Sequence, residues 1–149
     1  MTIWHRASGG IMFACALAVG ATAASSQPGK PLQALAHLEP GLWQIRQIDN
    51  PLSAPQSICV SDPGMLTQLQ HRQSPCSRFI VTNEAQLLTV HYTCPANGFG
   101  QTSIRVETSH LAKIDTQGII DNAPFAWRAE ARRVGACANK SPAGSRAGR

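Results

Sequence analysis

The sequence predicts a mainly β protein: a single curved antiparallel sheet of about six or seven strands, a meander or half-barrel, with one short covering helix. Three observations carry this. Leu87–Cys94 (LLTVHYTC) alternates Leu88, Val90, Tyr92 and Cys94 with Thr89, His91 and Thr93, the period of a half-buried strand. Similar short runs recur between turn residues along the chain. Cysteines fall on or beside those runs, so crosslinks can clamp one strand to another.

Residues 1–23 read as a secretory signal. His5 and Arg6 form a short n-region, Ile11 to Ala18 an apolar h-region, and Ala21-Thr22-Ala23 an A-x-A cleavage site. The mature chain then starts near Ala24 or Ser25. The apolar run is too short for a membrane span, so no transmembrane helix is expected in the mature chain. Cys15 does not fit lipidation, because Met12-Phe13-Ala14 lacks the small-residue pattern and the apolar run continues past the cysteine. Residues 24–38 read as a Pro-containing linker, 39–138 as the folded domain, and 139–149, rich in Gly, Ser and Pro, as a disordered tail. The expected location is the periplasm, or the exterior after secretion.

Within the domain, Glu39-Pro40-Gly41 leads into a strand over Leu42–Ile48, where Trp43 and Ile45 alternate with Gln44 and Arg46. Asn50-Pro51 breaks it, and Gln56–Val60 is the second strand. Asp62 as N-cap and Pro63 at the first helical position open a short helix over 63–70, with Met65, Leu66 and Leu69 on one face. His71 to Pro75 reads as loop. Arg78–Thr82 is the third strand and Leu87–Cys94 the fourth. Asn97-Gly98 suits a turn with positive φ. Thr102–Thr108 is the fifth strand; Leu111–Ile120 is the sixth, with Gly118 read as a bulge. Asp121-Asn122 turns the chain into the seventh, Pro124–Val134. Trp43, Val90, Tyr92, Ile104, Val106, Phe125 and Trp127 are expected to share a buried face.

The 149 residues suit one domain. The formal net charge is +5, but Arg6, Lys140, Arg146 and Arg149 lie in the leader and tail, and subtracting those four from +5 leaves +1 for the core. Only Arg128, Arg132 and Arg133 cluster, and aromatic residues are 5% of the chain, so no basic stripe with interleaved aromatics supports nucleic-acid binding.

Of five cysteines, Cys15 lies in the leader. Cys59, Cys76, Cys94 and Cys137 remain, an even set in an oxidising compartment and without a Cys-x-x-Cys pair. That points to two disulfides rather than a zinc or redox site. Register favours Cys76–Cys94 with Cys59–Cys137 over the two other connectivities. If Cys76 faces Cys94, Ile80 faces Val90, Val81 faces Thr89 and Asn83 faces Leu87, leaving Glu84-Ala85-Gln86 as a three-residue loop. A one-residue slip would put the two cysteines on opposite faces. Non-reducing peptide mapping decides among the three.

From Pro40 to Cys137 the chain resembles the family of small exported bacterial proteins called domain of unknown function 3617. The resemblance runs from Pro40-Gly41-Leu42-Trp43 through Cys59, Cys76 and Tyr92-Thr93-Cys94 with the Gly98/Gly100 turn. It ends at Arg132-Arg133-Val134-Gly135-Ala136-Cys137. It implies a periplasmic disulfide-bonded β domain and carries over no catalytic residues. The family's frequent Glu after the Trp is Gln44 here.

No residue is assigned a catalytic, cofactor-binding or metal-binding role, and no cofactor is expected. His37, His71, His91 and His110 show no ligand spacing and read as solvent-facing or hydrogen-bonded surface residues. No G-x-S-x-G elbow occurs, and the Gly98/Gly100 loop opens no helix that would cradle phosphate. Trp43, Tyr92 and Trp127 are the candidate ligand-facing residues, although aromatics on an inward strand face are more often core. Three functions compete. The first is a non-enzymatic binding or envelope-associated module, taking an apolar small molecule if the strands splay. The second is a structural or protein-interaction domain, with Arg128 and Arg132 facing an envelope protein. The third is a hydrolase using His91 or His110 with Asp115, Glu107 or Glu130.

Overall fold

The computed structural model describes residues 31–72, 75–95 and 97–138. The leader, the start of the linker and the tail from 139 lie outside the described residues. Seven strands follow in order: β1 (Gly41–Gln47), β2 (Gln56–Val60), β3 (Ser77–Asn83), β4 (Leu87–Cys94), β5 (Gly98–Thr108), β6 (Leu111–Ile120) and β7 (Ala123–Gly135). All pairings are antiparallel, in one unclosed sheet ordered β2-β1-β7-β6-β5-β4-β3. β3 to β7 form a meander, and β7 returns to pair with β1, so β2 and β3 are the two free edges.

The alternation legible in the sequence sets the two faces. Trp43, Ile45, Ile58, Val60, Leu88, Val90, Tyr92, Ile104, Val106, Ile114, Ala129 and Ala131 are buried on one of them. Phe125 and Trp127 lie on that same face but are only half-buried. Trp43 is fully buried and donates its indole N–H to the Glu39 carbonyl at 3.1 Å, which gives the ring's polar handle a partner.

Two 3-10 helices cover this face. The first, Leu35–His37, lies within the segment read as linker. Ala34, Leu35 and Leu38 are buried in the core, and Asn83 holds the segment down by accepting from the Gln33 N–H and donating to the Pro31 carbonyl. Residues 31–38 are therefore part of the folded domain, a correction to the linker reading. The second helix, Pro63–His71, links β2 to β3 and is capped by Asp62, which accepts the Gly64 N–H at 2.8 Å.

This covering helix begins where the sequence places it, but it is 3-10 and runs one residue further, into the expected loop. Thr67 donates to the Gly64 carbonyl three residues back at 2.7 Å, a side-chain bond that competes with the α ladder. Gln68 then leaves helical geometry, at φ −139° and ψ 45°, so two short 3-10 pieces meet at a kink, as such helices favour. The Gln68 amide is used on both sides, donating to the His71 carbonyl and accepting from Arg78. Leu66 and Leu69 are buried, whereas Met65 sits at the rim.

Cys59 is joined to Cys137 and Cys76 to Cys94. Ile80 faces Val90, but the register shifts at Val81, so Thr82 faces Thr89 and Asn83 faces Leu88. Val81 is thus bulged out rather than opposite Thr89. Glu84 N–H bonds the Leu87 carbonyl at 2.9 Å, so with the shifted register these two residues face each other and the turn between them is Ala85-Gln86, two residues rather than the expected three. Gly118 is not a bulge: it faces Gly100 in unbroken register. A Cβ there would run into the Phe99 carbonyl and the Gly100 Cα, so close backbone approach explains the glycine. Asp121 and Asn122 both have positive φ, 49° and 62°, the two-residue hairpin geometry that matches strand twist.

Candidate functional site

The apolar face of the sheet is filled by the chain itself. Leu66 and Leu69 of the covering helix, Leu35 of the first helix and Leu38 just after it pack onto the strand residues in one core cluster. Trp43 and Tyr92 belong to that interior, 0% and 2% exposed, and neither can meet a ligand without unpacking. Of the candidate ligand-facing residues only Trp127 reaches open space.

Trp127 lines a cleft of about 700 Å³ where the end of β1, the start of β2 and the C-terminal end of the covering helix come together. Ile45 and Gln47 come from β1 and Gln56 from β2. Leu69, Gln70, His71 and Arg72 come from the helix end, Ser53 and Ala54 from the β1–β2 loop, and Asn97 from the β4–β5 turn. Strand pairing explains the convergence: Ile45 faces Gln56, and Gln47 faces Ala129, two residues beyond Trp127 on the same side of β7. The Trp127 indole N–H donates to the Gln70 side-chain oxygen at 3.3 Å, which fixes the ring plane against the helix end.

A buried polar network forms the back of the cleft. His71 is 1% exposed, so its assignment to the surface is corrected. Its Nε2 lies 3.0 Å from the Asn97 carbonyl and its Nδ1 3.2 Å from the Tyr92 hydroxyl. A carbonyl only accepts, so Nε2 carries the proton; in the neutral ring Nδ1 then accepts from the Tyr92 O–H. Tyr92 in turn contacts the Thr116 and Thr102 hydroxyls, and its phenol is pushed above its usual range by burial, against the smaller lowering effect of those two bonds. Thr102 and Thr116 are 2.8 Å apart, and Thr116 reaches the Gln101 carbonyl. The His71 ring meets Tyr92 edge-on at 5.3 Å. No buried side-chain nitrogen or oxygen among the described residues lacks a hydrogen-bond partner.

The other sequence candidates lie apart from the cleft. His110 pairs with Glu39 at 2.9 Å, both half-exposed, rather than with Glu107 or Glu130. His91 is exposed on the uncovered face. Arg128 grips Asp49 through Nε at 3.1 Å and Nη2 at 2.6 Å, and Arg132 holds Glu130 at 2.9 Å. Among the described residues, no three His, Cys, Asp or Glu side chains converge to hold a metal ion, and no helix is long and apolar enough to cross a membrane. The two disulfides fit an oxidising compartment.

Sequence reasoning placed His71 on the surface and overlooked Gln47, Gln56 and Gln70. None had a local signal: His71 sits in a polar run, QLQHRQ, and its burial comes from Asn97 and Tyr92, which are distant in sequence. Comparison with protein-family models, curated proteins and solved structures returned no match to this chain.

Proposed function

We propose that this is an exported, periplasmic β domain of the domain of unknown function 3617 type, a non-enzymatic binding module that holds a small ligand in the cleft around Trp127. The observation that carries the reading is the tethered indole. It is a large aromatic surface held at a fixed angle, open on one side and ringed by hydrogen-bonding side chains, the composition of a recognition pocket. The His71 hydrogen bonds support binding over chemistry: both ring nitrogens are engaged by Asn97 and Tyr92, so the histidine shapes the wall. Because the chain's own leucines fill the apolar face, a wholly apolar guest within the sheet is replaced by an amphipathic one at its end. The leader ending at Ala23 supplies export.

Native mass spectrometry tests this on protein expressed with its leader in a bacterial host. The chain should begin within a residue or two of Ala24 and retain a small molecule that Trp127→Ala releases. A retained Met1, or a cleft empty in every preparation and indifferent to Trp127→Ala, would overturn the proposal.

A further inference from the structure

The geometry points to a neutral, polyhydroxylated ring, a sugar unit of a glycan, as the ligand of this cleft; the inference rests on the binding reading above and names its ligand class. Four features converge. First, among the described residues no carboxylate lines the cleft, and Arg72 is its one permanently charged side chain. That removes the acidic partners a cationic ligand needs and gives an anionic one a single contact, without the paired donors of a phosphate or carboxylate site.

Second, the rim is built from amides. Gln47, Gln56 and Gln70 each present a carbonyl and an NH₂, and Ser53 adds a hydroxyl. A sugar hydroxyl both donates and accepts, and neighbouring hydroxyls on a ring ask for donor and acceptor side by side. An amide side chain offers that pair without charge. Gln70 already uses its oxygen on Trp127 and so turns its NH₂ outward from the indole.

Third, Trp127 supplies a flat face with its N–H committed. The C–H face of a pyranose ring packs on the electron-rich face of an indole, while the ring's hydroxyls project sideways, toward where the amides stand. Fourth, Ile45 and Leu69 floor the cleft but are themselves buried, so there is no deep apolar socket for an acyl chain or a peptide anchor residue. An opening of about 700 Å³ lies within the range of ligand clefts.

The test uses the purified full chain and four neutral tetrasaccharides as probes: those of β-linked N-acetylglucosamine, β-linked glucose, α-linked glucose and β-linked mannose. Tryptophan fluorescence and calorimetric titration should register at least one of them, with little dependence on salt. Trp127→Ala should weaken that binding by at least about tenfold, and Gln47→Ala and Gln56→Ala by about two- to tenfold each, the range of one hydrogen bond. The two glutamine variants stay informative if the tryptophan variant folds poorly, and Phe79→Lys, on the far edge of the sheet, should bind as the parent does. Binding to none of the four sugars overturns the inference. So does binding that collapses with salt, which marks an anionic ligand. A lipid or peptide that co-purifies and is lost on Trp127→Ala replaces the ligand class but keeps the binding reading; absence of any Trp127-dependent occupant overturns both.

Discussion

His71 is held by two groups from the β4–β5 region while belonging to the covering helix. That makes it the polar link between helix and sheet, and its hydroxyl partner is the place to test it. Tyr92→Phe would leave Nδ1 of His71 without its donor and the Thr102/Thr116 pair without its third hydroxyl. Removing one member of a buried network costs about 1–3 kcal/mol. Urea unfolding should show a loss of that size; a loss below about 0.5 kcal/mol, the range of a surface change, would show that the network contributes nothing. A second residue-scale test concerns Glu39. Its carboxyl sits below the ordinary range, chiefly through the hydrogen bond from His110, with Ser109 and Arg133 adding to the effect and partial burial opposing it. A carboxyl lowered on folding stabilises the fold above its unfolded value of about 4.3, and the contribution disappears as pH falls through the folded value. The parent should therefore melt above Glu39→Gln at about pH 6, and the gap should close toward about pH 3. A gap that persists undiminished at the lower pH would assign the difference to packing.

β3 carries the clearest liability among the elements. It is a free edge with Phe79, Ile80 and Val81 all exposed, Phe79 at 71%, and an unpaired apolar edge templates association with other strands. The Val81 bulge is one of the devices that blunt such an edge. Phe79→Lys adds a second. Light scattering on mild heating should show less self-association, with the melting temperature within a degree or two of the parent. Unchanged or faster association would place the sticky surface elsewhere. These elements also show what was legible in the sequence. Strands were, because period-two alternation between turn residues depends on neighbours alone: Gln56–Val60, Leu87–Cys94 and Leu111–Ile120 have the same limits in sequence and structure. The cap at Asp62 was as well, but a cap does not say which helix follows, and Thr67 and Gln68 decide that through contacts the sequence does not display. The cleft was least legible. Trp43 and Trp127 share the inward parity, and parity alone does not tell the sealed ring from the one that lines the cleft.

At the scale of the whole molecule, an unclosed sheet has two edges that can fray, and each carries a disulfide. β2 pairs only with β1, and Cys59 within it is tied to Cys137, just past the end of β7 on the far side of β1. β3 pairs only with β4, and Cys76 at its start is tied to Cys94 at the end of β4. Edge strands have the fewest partners and open first, so each crosslink sits where local opening begins. The two differ in the loop they close. Cys59 and Cys137 are 78 residues apart, and Cys76 and Cys94 are 18 apart. Constraint of the unfolded chain grows with the logarithm of loop length, which gives about 4.5 kcal/mol for the long loop and about 3 kcal/mol for the short one. The long loop also encloses every strand from β3 to β7, so its loss frees nearly the whole sheet. Replacing Cys59 and Cys137 together by Ser should therefore cost more in urea unfolding than replacing Cys76 and Cys94. Hydrogen exchange should localise each defect, to β2 for the first pair and β3 for the second. If the short-loop pair proves the costlier, the β3 edge limits the stability of the sheet and the chain-entropy ordering fails for this protein.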